Sequence, residues 1–326
     1  MSNNKTMGPG SATLALVFPG QGSQKVGMGL ELYKAFKSVK SVFDEADDAL
    51  NFKLSKLIFE GPDEELTLTQ NAQPAIMTVS IAVLKALETE FDVKFDPKFM
   101  AGHSLGEYSA LAASGVLKFA DAVRLVNKRG KFMQEAVAPG VGAMAAVMGL
   151  NSDDIKAVCA EAAPNGECQA ANFNSPGQVV ISGLKEYVNK AVDLAKVKGA
   201  KKAVMLNVSA PFHSKLMIPA AEKLKEEFAQ LEWHDASCEI VANFTARPVS
   251  KSSEIRDALY NQTFSPVLWE DSIIYMNEQD VDNFVELGAG NVLSGLIKRC
   301  VKGVKPLSSG DTPESLEKLA NVINEA

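Results

Sequence analysis

Ser104 is the residue whose surroundings point most directly to chemistry. It stands in Ala101-Gly102-His103-Ser104-Leu105-Gly106-Glu107, the G-x-S-x-G spacing of a nucleophile elbow. In such an elbow a sharp strand-to-helix turn lifts the hydroxyl above a sheet edge. The flanking positions of so tight a turn tolerate little beyond glycine. The next N–H, that of Leu105, then falls at a helix N-terminus, where free donors and the helix dipole favour negative charge. It would supply half of an oxyanion hole. Chance alone produces the bare pattern about once in ten chains of this length, so the rest of the chain must decide.

A serine nucleophile needs a base, and the chain has three histidines. His103 adjoins Ser104, and neighbours in a tight turn point apart. His234 lies in the polar stretch Glu232-Trp233-His234-Asp235, which reads as a surface loop. His213 follows a strand and a proline-containing turn and precedes a helix. That puts it at a sheet edge, where a second segment could reach Ser104; a buried structural histidine is the competing reading. No carboxylate is marked as the orienting acid of a triad, and an amide or main-chain carbonyl could take that place. Arg129, just before Gly130, could hold a carboxylate through two parallel hydrogen bonds if it lined a cleft. By its helical setting alone it reads first as a solvated charge, like Arg124 and Lys128.

The elements that must position these residues follow from pattern. Thr13 to Phe18 is a near-continuous apolar run, a buried strand of the parallel type. It ends at Pro19-Gly20-Gln21-Gly22-Ser23-Gln24, a loop at the strand end where open α/β sheets bind ligands. A phosphate loop is excluded, because its lysine and Ser/Thr are missing. Phe99-Met100-Ala101 reads as the strand before the elbow and Glu107 to Ala113 as the helix after it. From about Pro139 to Ser209 the order is βαββαβ, the ferredoxin-like unit. After His213 the α/β texture resumes, with a helix near Glu254 to Gln262. Gly288-Ala289-Gly290 has the wrong spacing to Gly295 for a dinucleotide fingerprint.

The expected fold class is therefore α/β, a parallel-sheet core with an inserted ferredoxin-like small domain. Residues 1–11, with Met7-Gly8-Pro9-Gly10-Ser11, read as an expression-tag remnant. Residues 12–138 and 210–326 form the large domain, and 139–209 the small one. The 326 residues carry a net charge of −7, which argues against nucleic acid as the main partner. No apolar run approaches the roughly 18 residues of a membrane span. The four cysteines, Cys159, Cys168, Cys238 and Cys300, lack C-x-x-C spacing and read as reduced thiols in a cytoplasmic protein without bound metal.

Several segments, occurring in order, together resemble one family. They are Phe18-Pro19-Gly20-Gln21-Gly22-Ser23-Gln24, Gly102 to Tyr108, Arg129-Gly130, Ala171-Asn172-Phe173-Asn174-Ser175-Pro176-Gly177-Gln178, and Ser209-Ala210-Pro211-Phe212-His213. Gln262, Pro266-Val267, Trp269 and Gly288 to Leu293 complete the set. The chain resembles the malonyl-CoA:acyl-carrier-protein transacylases of bacterial type II fatty-acid synthesis, from about Thr13 to near the C-terminus. The one departure is Ala289, where many members have proline.

The resemblance implies an α/β-hydrolase-like core. It also implies ping-pong transfer of malonyl from malonyl-CoA to the phosphopantetheine thiol of acyl carrier protein, with no bound cofactor. Ser104 then carries the acyl group and His213 is its base. The Gln262 main-chain carbonyl orients His213, and the Gln21 and Leu105 N–H groups form the oxyanion hole. Arg129 grips the malonyl carboxylate, while Phe212 and Asn172 line the substrate site. A monomer is expected, with an acidic carrier protein meeting a basic cluster at Lys196, Lys198, Lys201 and Lys202 or at Lys298, Arg299, Lys302 and Lys305. The nearest rival is a serine thioesterase or esterase, which shares the elbow but usually has an Asp or Glu before its histidine. A non-catalytic carrier-binding module is a second rival.

Overall fold

The computed structural model describes residues 13–208 and 210–325. The segment 1–11, expected as a tag remnant, and Ser209 of the segment before His213 lie outside the described residues.

Two sheets organise the chain. The strands are β1 Leu14–Phe18, β2 Phe99–Gly102, β3 Gly142–Met148, β4 Cys168–Ser175, β5 Gln178–Leu184, β6 Lys202–Met205, β7 Glu239–Ala242, β8 Arg247–Val249, β9 Asn283–Glu286 and β10 Leu307–Ser308. The larger sheet has the order β10-β9-β1-β2-β7-β8. Its first five strands in that order run parallel, and β8 turns back antiparallel on β7. β1, in its middle, is apolar and buried along nearly its whole length, as a strand covered on both faces must be.

Helices cover both faces. The long helix Thr69–Glu90 and the elbow helix Leu105–Ala113 contribute to the largest apolar cluster, with Leu16 and Phe18. Helices Trp269–Glu278 and Val292–Cys300 contribute to a second cluster with Ala15 and Val17. Alternate residues of β1 thus face opposite layers, as the two-residue period of a strand requires.

The smaller sheet is antiparallel, in the order β4-β5-β3-β6. Its helices, Ser152–Ala162 and Lys185–Val197, share an apolar cluster with the sheet. This is the βαββαβ order with ferredoxin-like strand arrangement. Asn172 of β4 forms an isolated parallel bridge with Val267, in the segment before the helix Trp269–Glu278.

The positioning consequence lies at the carboxyl edge of the parallel strands. β1 runs into Gln21, β2 into Ser104, β7 into Asn243 and β9 into the Gly288–Asn291 turn. Four segments far apart in sequence therefore converge on one edge, the place where open α/β sheets bind their ligands. The small sheet closes over it.

Candidate active site

Gly102 ends β2, and the elbow helix begins at Leu105, two residues earlier than its apolar pattern suggests. Crowding explains the two glycines. A Cβ on Gly102 would sit 1.9 Å from the Gly106 carbonyl carbon, and one on Gly106 would sit 2.0 Å from the Phe18 oxygen. The left-handed strain falls instead on Ser104, at φ 53° and ψ −104°. His213 also has a positive φ, 57°. Such backbone costs about 1–3 kcal/mol per residue and persists only where the surroundings hold it.

Ser104 Oγ lies 2.7 Å from His213 Nε2. His213 Nδ1 lies 2.9 Å from the main-chain oxygen of Gln262, where a carboxylate would stand in a triad. That oxygen can only accept, so Nδ1 carries the proton of the neutral ring and Nε2 is left to accept from the serine hydroxyl. Burial and then the Arg129 charge push the His213 pKa down to about 3. The ring is neutral near pH 7, the form a base requires.

Arg129 is the correction to the residue-by-residue reading. It is 1% exposed rather than solvated. Its Nη1 donates to Gln73 Oε1 at 2.8 Å, and its Nη2 to Gln262 Oε1 at 2.9 Å and Ser104 Oγ at 3.1 Å. Its guanidinium carbon lies 5.1 Å from the centre of the Tyr108 ring. Gly130 explains the burial. A Cβ there would meet Gln70 Cα at 2.6 Å, so the helix Phe119–Glu135 is pressed against the helix Thr69–Glu90 at this point.

The site opens into a cavity of about 630 Å³ whose lining includes Gln21, Ser104, Arg129, Asn172, Phe212 and His213. Leu105 and Gln262 are buried behind its wall. Leu105 opens the elbow helix, so its N–H is among the donors a helix leaves without an internal acceptor. Gln21 reaches the site because Gly20 packs on the elbow backbone; a Cβ there would lie 2.3 Å from the His103 oxygen. His103 also lines the cavity but pairs with Asn174 rather than with the serine, its Nε2 2.8 Å from Asn174 Oδ1. His234 is exposed beside Glu232. Both basic clusters are exposed. Among the described residues no cluster of His, Cys, Asp or Glu is arranged to hold a metal, and no helix is long and apolar enough to cross a membrane.

Sequence reasoning missed Glu107, Asn243 and Gln73. Asn243 Oδ1 accepts from the Ser104 N–H at 2.7 Å, and Asn243 Nδ2 donates to the Gly102 oxygen at 2.7 Å. Glu107 Oε2 accepts from the Asn243 N–H and from Gln262 Nε2, each at 2.9 Å. Burial pushes the Glu107 carboxyl up to about 7. A readable signal existed for two of them: Glu107 is a lone carboxylate on an apolar helix, and Asn243 follows directly on an apolar strand.

A strained serine paired with a neutral histidine at the carboxyl edge of a parallel sheet defines a class of serine nucleophile sites. A family model described as "Acyl transferase domain" matches residues 15–314. The malonyl CoA-acyl carrier protein transacylase of Bacillus subtilis (strain 168) is 49% identical over 313 residues, covering 96% of this chain and 98% of the relative. That of Escherichia coli (strain K12) is 48% identical, over 88% of this chain and 92% of its own. Among solved structures, an acyl-carrier-protein-S-malonyltransferase from Bartonella henselae superposes with TM-score 0.92 at 45% identity, over 96% of this chain and 99% of that one. A malonyl-transacylase in complex with its type II PKS acyl-carrier protein gives TM-score 0.91 at 42% identity, over 95% and 100% of the chains. The chain belongs to the acyl transferase family and, within it, to the malonyl CoA-acyl carrier protein transacylases.

Proposed function

We propose that the protein moves the malonyl group from malonyl-CoA to the phosphopantetheine thiol of acyl carrier protein, in fatty-acid biosynthesis. The observation that carries this reading is the buried Arg129 guanidinium, 3.1 Å from the Ser104 hydroxyl. A fixed cation beside a nucleophile favours an acyl group that ends in a carboxylate. The main-chain partner of His213 favours it over the thioesterase or esterase reading.

In the first half-reaction His213 Nε2 takes the Ser104 proton as Oγ attacks the thioester carbonyl carbon. The Gln21 and Leu105 N–H groups hold the oxyanion, a contribution of about 3–4 kcal/mol per donor. The carbon–sulfur bond breaks, and CoA leaves with the proton returned by His213. In the second half His213 takes the proton of the phosphopantetheine thiol, and the sulfur attacks the malonyl ester. Ser104 Oγ leaves and regains its proton. Through both halves Arg129 pairs with the malonyl carboxylate, Asn172 and Phe212 shape the acyl space, and the Gln262 carbonyl holds His213 in its tautomer. The chemistry asks for no bound cofactor.

The domain division at 139 and 209 and a cytoplasmic monomer belong to the same reading. A light-scattering mass above that of one chain would remove the monomer from it.

Intact-mass measurement after brief mixing with malonyl-CoA tests the reading on wild type and Ser104→Ala. The expected result is one malonyl adduct on wild type only, discharged by carrier-protein thiol faster than by water. CoA release with no lasting adduct would point to hydrolysis. Neither adduct nor CoA release would leave only binding.

A further inference from the structure

We infer that Glu107 is a positioning residue for acyl transfer. It fixes the orientation of the buried Gln262 amide and anchors the Asn243 main chain, and through these two residues it holds the strained Ser104 backbone and aims the Arg129 guanidinium. The inference rests on the proposed roles of Ser104 and Arg129.

Glu107 is 1% exposed and outside the cavity lining. The proton path from Ser104 to His213 does not use it. What it does is impose direction. Glu107 Oε2 accepts both of its bonds, and it does so with the carboxyl ionised or with the proton on the other oxygen, whereas a side-chain amide has one accepting end and one donating end of nearly the same shape. With Gln262 Nε2 held 2.9 Å from Glu107 Oε2, the same nitrogen donates to the Ser104 main-chain oxygen at 3.0 Å. Gln262 Oε1 then faces Arg129 Nη2 at 2.9 Å. Turned end for end, Gln262 would set its oxygen against two other oxygens and its NH₂ against the guanidinium. The acceptor at Glu107 selects between those two states.

Asn243, on the other side of the serine, is held by Glu107 through its main chain. Glu107 Oε2 accepts its main-chain N–H at 2.9 Å. The Asn243 side chain then meets the Ser104 N–H and the Gly102 oxygen, both at 2.7 Å. The N–H and the C=O of Ser104 are thus both held by amides anchored on one carboxyl, at the residue with φ 53° and ψ −104°. Arg129 Nη2 is shared between Gln262 Oε1 and Ser104 Oγ, and Nη1 is fixed by Gln73. Freeing Gln262 releases one arm of that fork.

The test is the rate of Ser104 acylation by malonyl-CoA and by acetyl-CoA for wild type, Glu107→Ala, Glu107→Gln and Gln262→Met. Wild type is the reference: no malonyl uptake there overturns both readings, and uptake isolates the role of Glu107. Glu107→Ala is expected to lower malonyl kcat/KM roughly 100-fold, the scale of about 1 Å of misplacement, and to narrow the malonyl-over-acetyl preference. Glu107→Gln keeps an accepting oxygen and is expected to recover most of both. Gln262→Met keeps the main-chain carbonyl on His213 and loses the amide. It is expected to narrow the preference in the same way, and adding Glu107→Gln to it is expected to cost little more. If Glu107→Ala does not fold, the Gln262→Met pair decides. An unchanged preference in Gln262→Met, or in folded Glu107→Ala, would overturn the inference. So would equal losses for both substrates that Glu107→Gln fails to relieve.

Discussion

The same supersecondary device occurs twice on one edge of the larger sheet, and the two copies treat negative charge in opposite ways. After β9, Glu286 accepts the N–H groups of Leu293 at 3.0 Å and Ser294 at 2.7 Å, in the first turn of the helix Val292–Cys300. The anion that this helix N-terminus attracts is built into the chain. After β2, the buried carboxyl is Glu107, and it turns to Gln262 and to the Asn243 N–H instead. The first N–H of the elbow helix is left for a substrate oxyanion in the proposed mechanism. The strain differs as well. Gly288 and Gly290 absorb the positive φ of the β9 turn, at 140° and 82°, whereas Ser104 carries it at the elbow. One junction spends its donors and relieves its backbone. The other keeps both in tension, at the proposed nucleophile.

The sharpest way to break this contrast is to remove the charge that the open site is built around. In the proposed mechanism Arg129→Ala leaves the malonyl carboxylate buried without a partner, a loss of about 3–5 kcal/mol or roughly 10²–10⁴-fold in malonyl acylation. Acetyl transfer suffers no such penalty, so the malonyl-over-acetyl ratio should collapse. The substitution should also move the acid limb of kcat/KM. As the proposed base, His213 works when neutral, above its pKa, and the Arg129 charge is one cause that holds that pKa near 3. Without the charge the pKa rises, so activity fails at a higher pH than in wild type. Acylation profiles between pH 3 and 7 with acetyl-CoA check it, since kcat/KM reports the free enzyme. An unchanged ratio together with an unmoved limb would remove Arg129 from this role.

The closed junction should respond in the opposite currency. Glu286→Ala strips two buried N–H groups of their acceptor and should cost about 2–3 kcal/mol of stability. Thermal unfolding would register this as a lower Tm. Acylation per folded molecule should stay within about twofold, because no reacting atom meets Glu286. A tenfold loss in the folded variant would erase the distinction between the two junctions.

What was legible in the sequence divides along the same line. The elbow and the βαββαβ order are local patterns: two glycines about a serine, and alternating apolar runs separated by turns. They stand in the structure within a few residues of where the patterns put them. His213 was legible because it follows a strand and a turn. Arg129 on its own was not. Its helix carries Arg124, Lys128 and Lys131 on the surface, and only Gly130, pressed on the Gln70 backbone, betrays that the face at 129 is covered. Glu107 and Asn243 each stood out singly, but the contacts that join them had no local form. The Glu107 bonds to Asn243 and Gln262 span 136 and 155 residues, and no period or spacing reports a contact of that range. The family resemblance named the Gln262 main chain but not the side chain that links Glu107 to Arg129.

Phe212 gives the smallest effect and separates shape from charge within the open site. Its ring is 8% exposed, next to the base, and lines the cavity with Met133 and Met144. The proposed role is to fill the space that an α-methyl group would need. One methyl is worth about 1–3 kcal/mol of discrimination in an apolar pocket. Part of that should return when Phe212→Ser opens the space, and a gain of roughly tenfold in methylmalonyl relative to malonyl acylation is expected. The malonyl-over-acetyl ratio should hold, because the Arg129 fork is untouched. Competition between malonyl-CoA and methylmalonyl-CoA, read by intact mass of the acyl-enzyme, measures the ratio directly. No change would remove the steric role of Phe212. A joint loss of both preferences would mean that the ring supports the arginine rather than excluding the methyl.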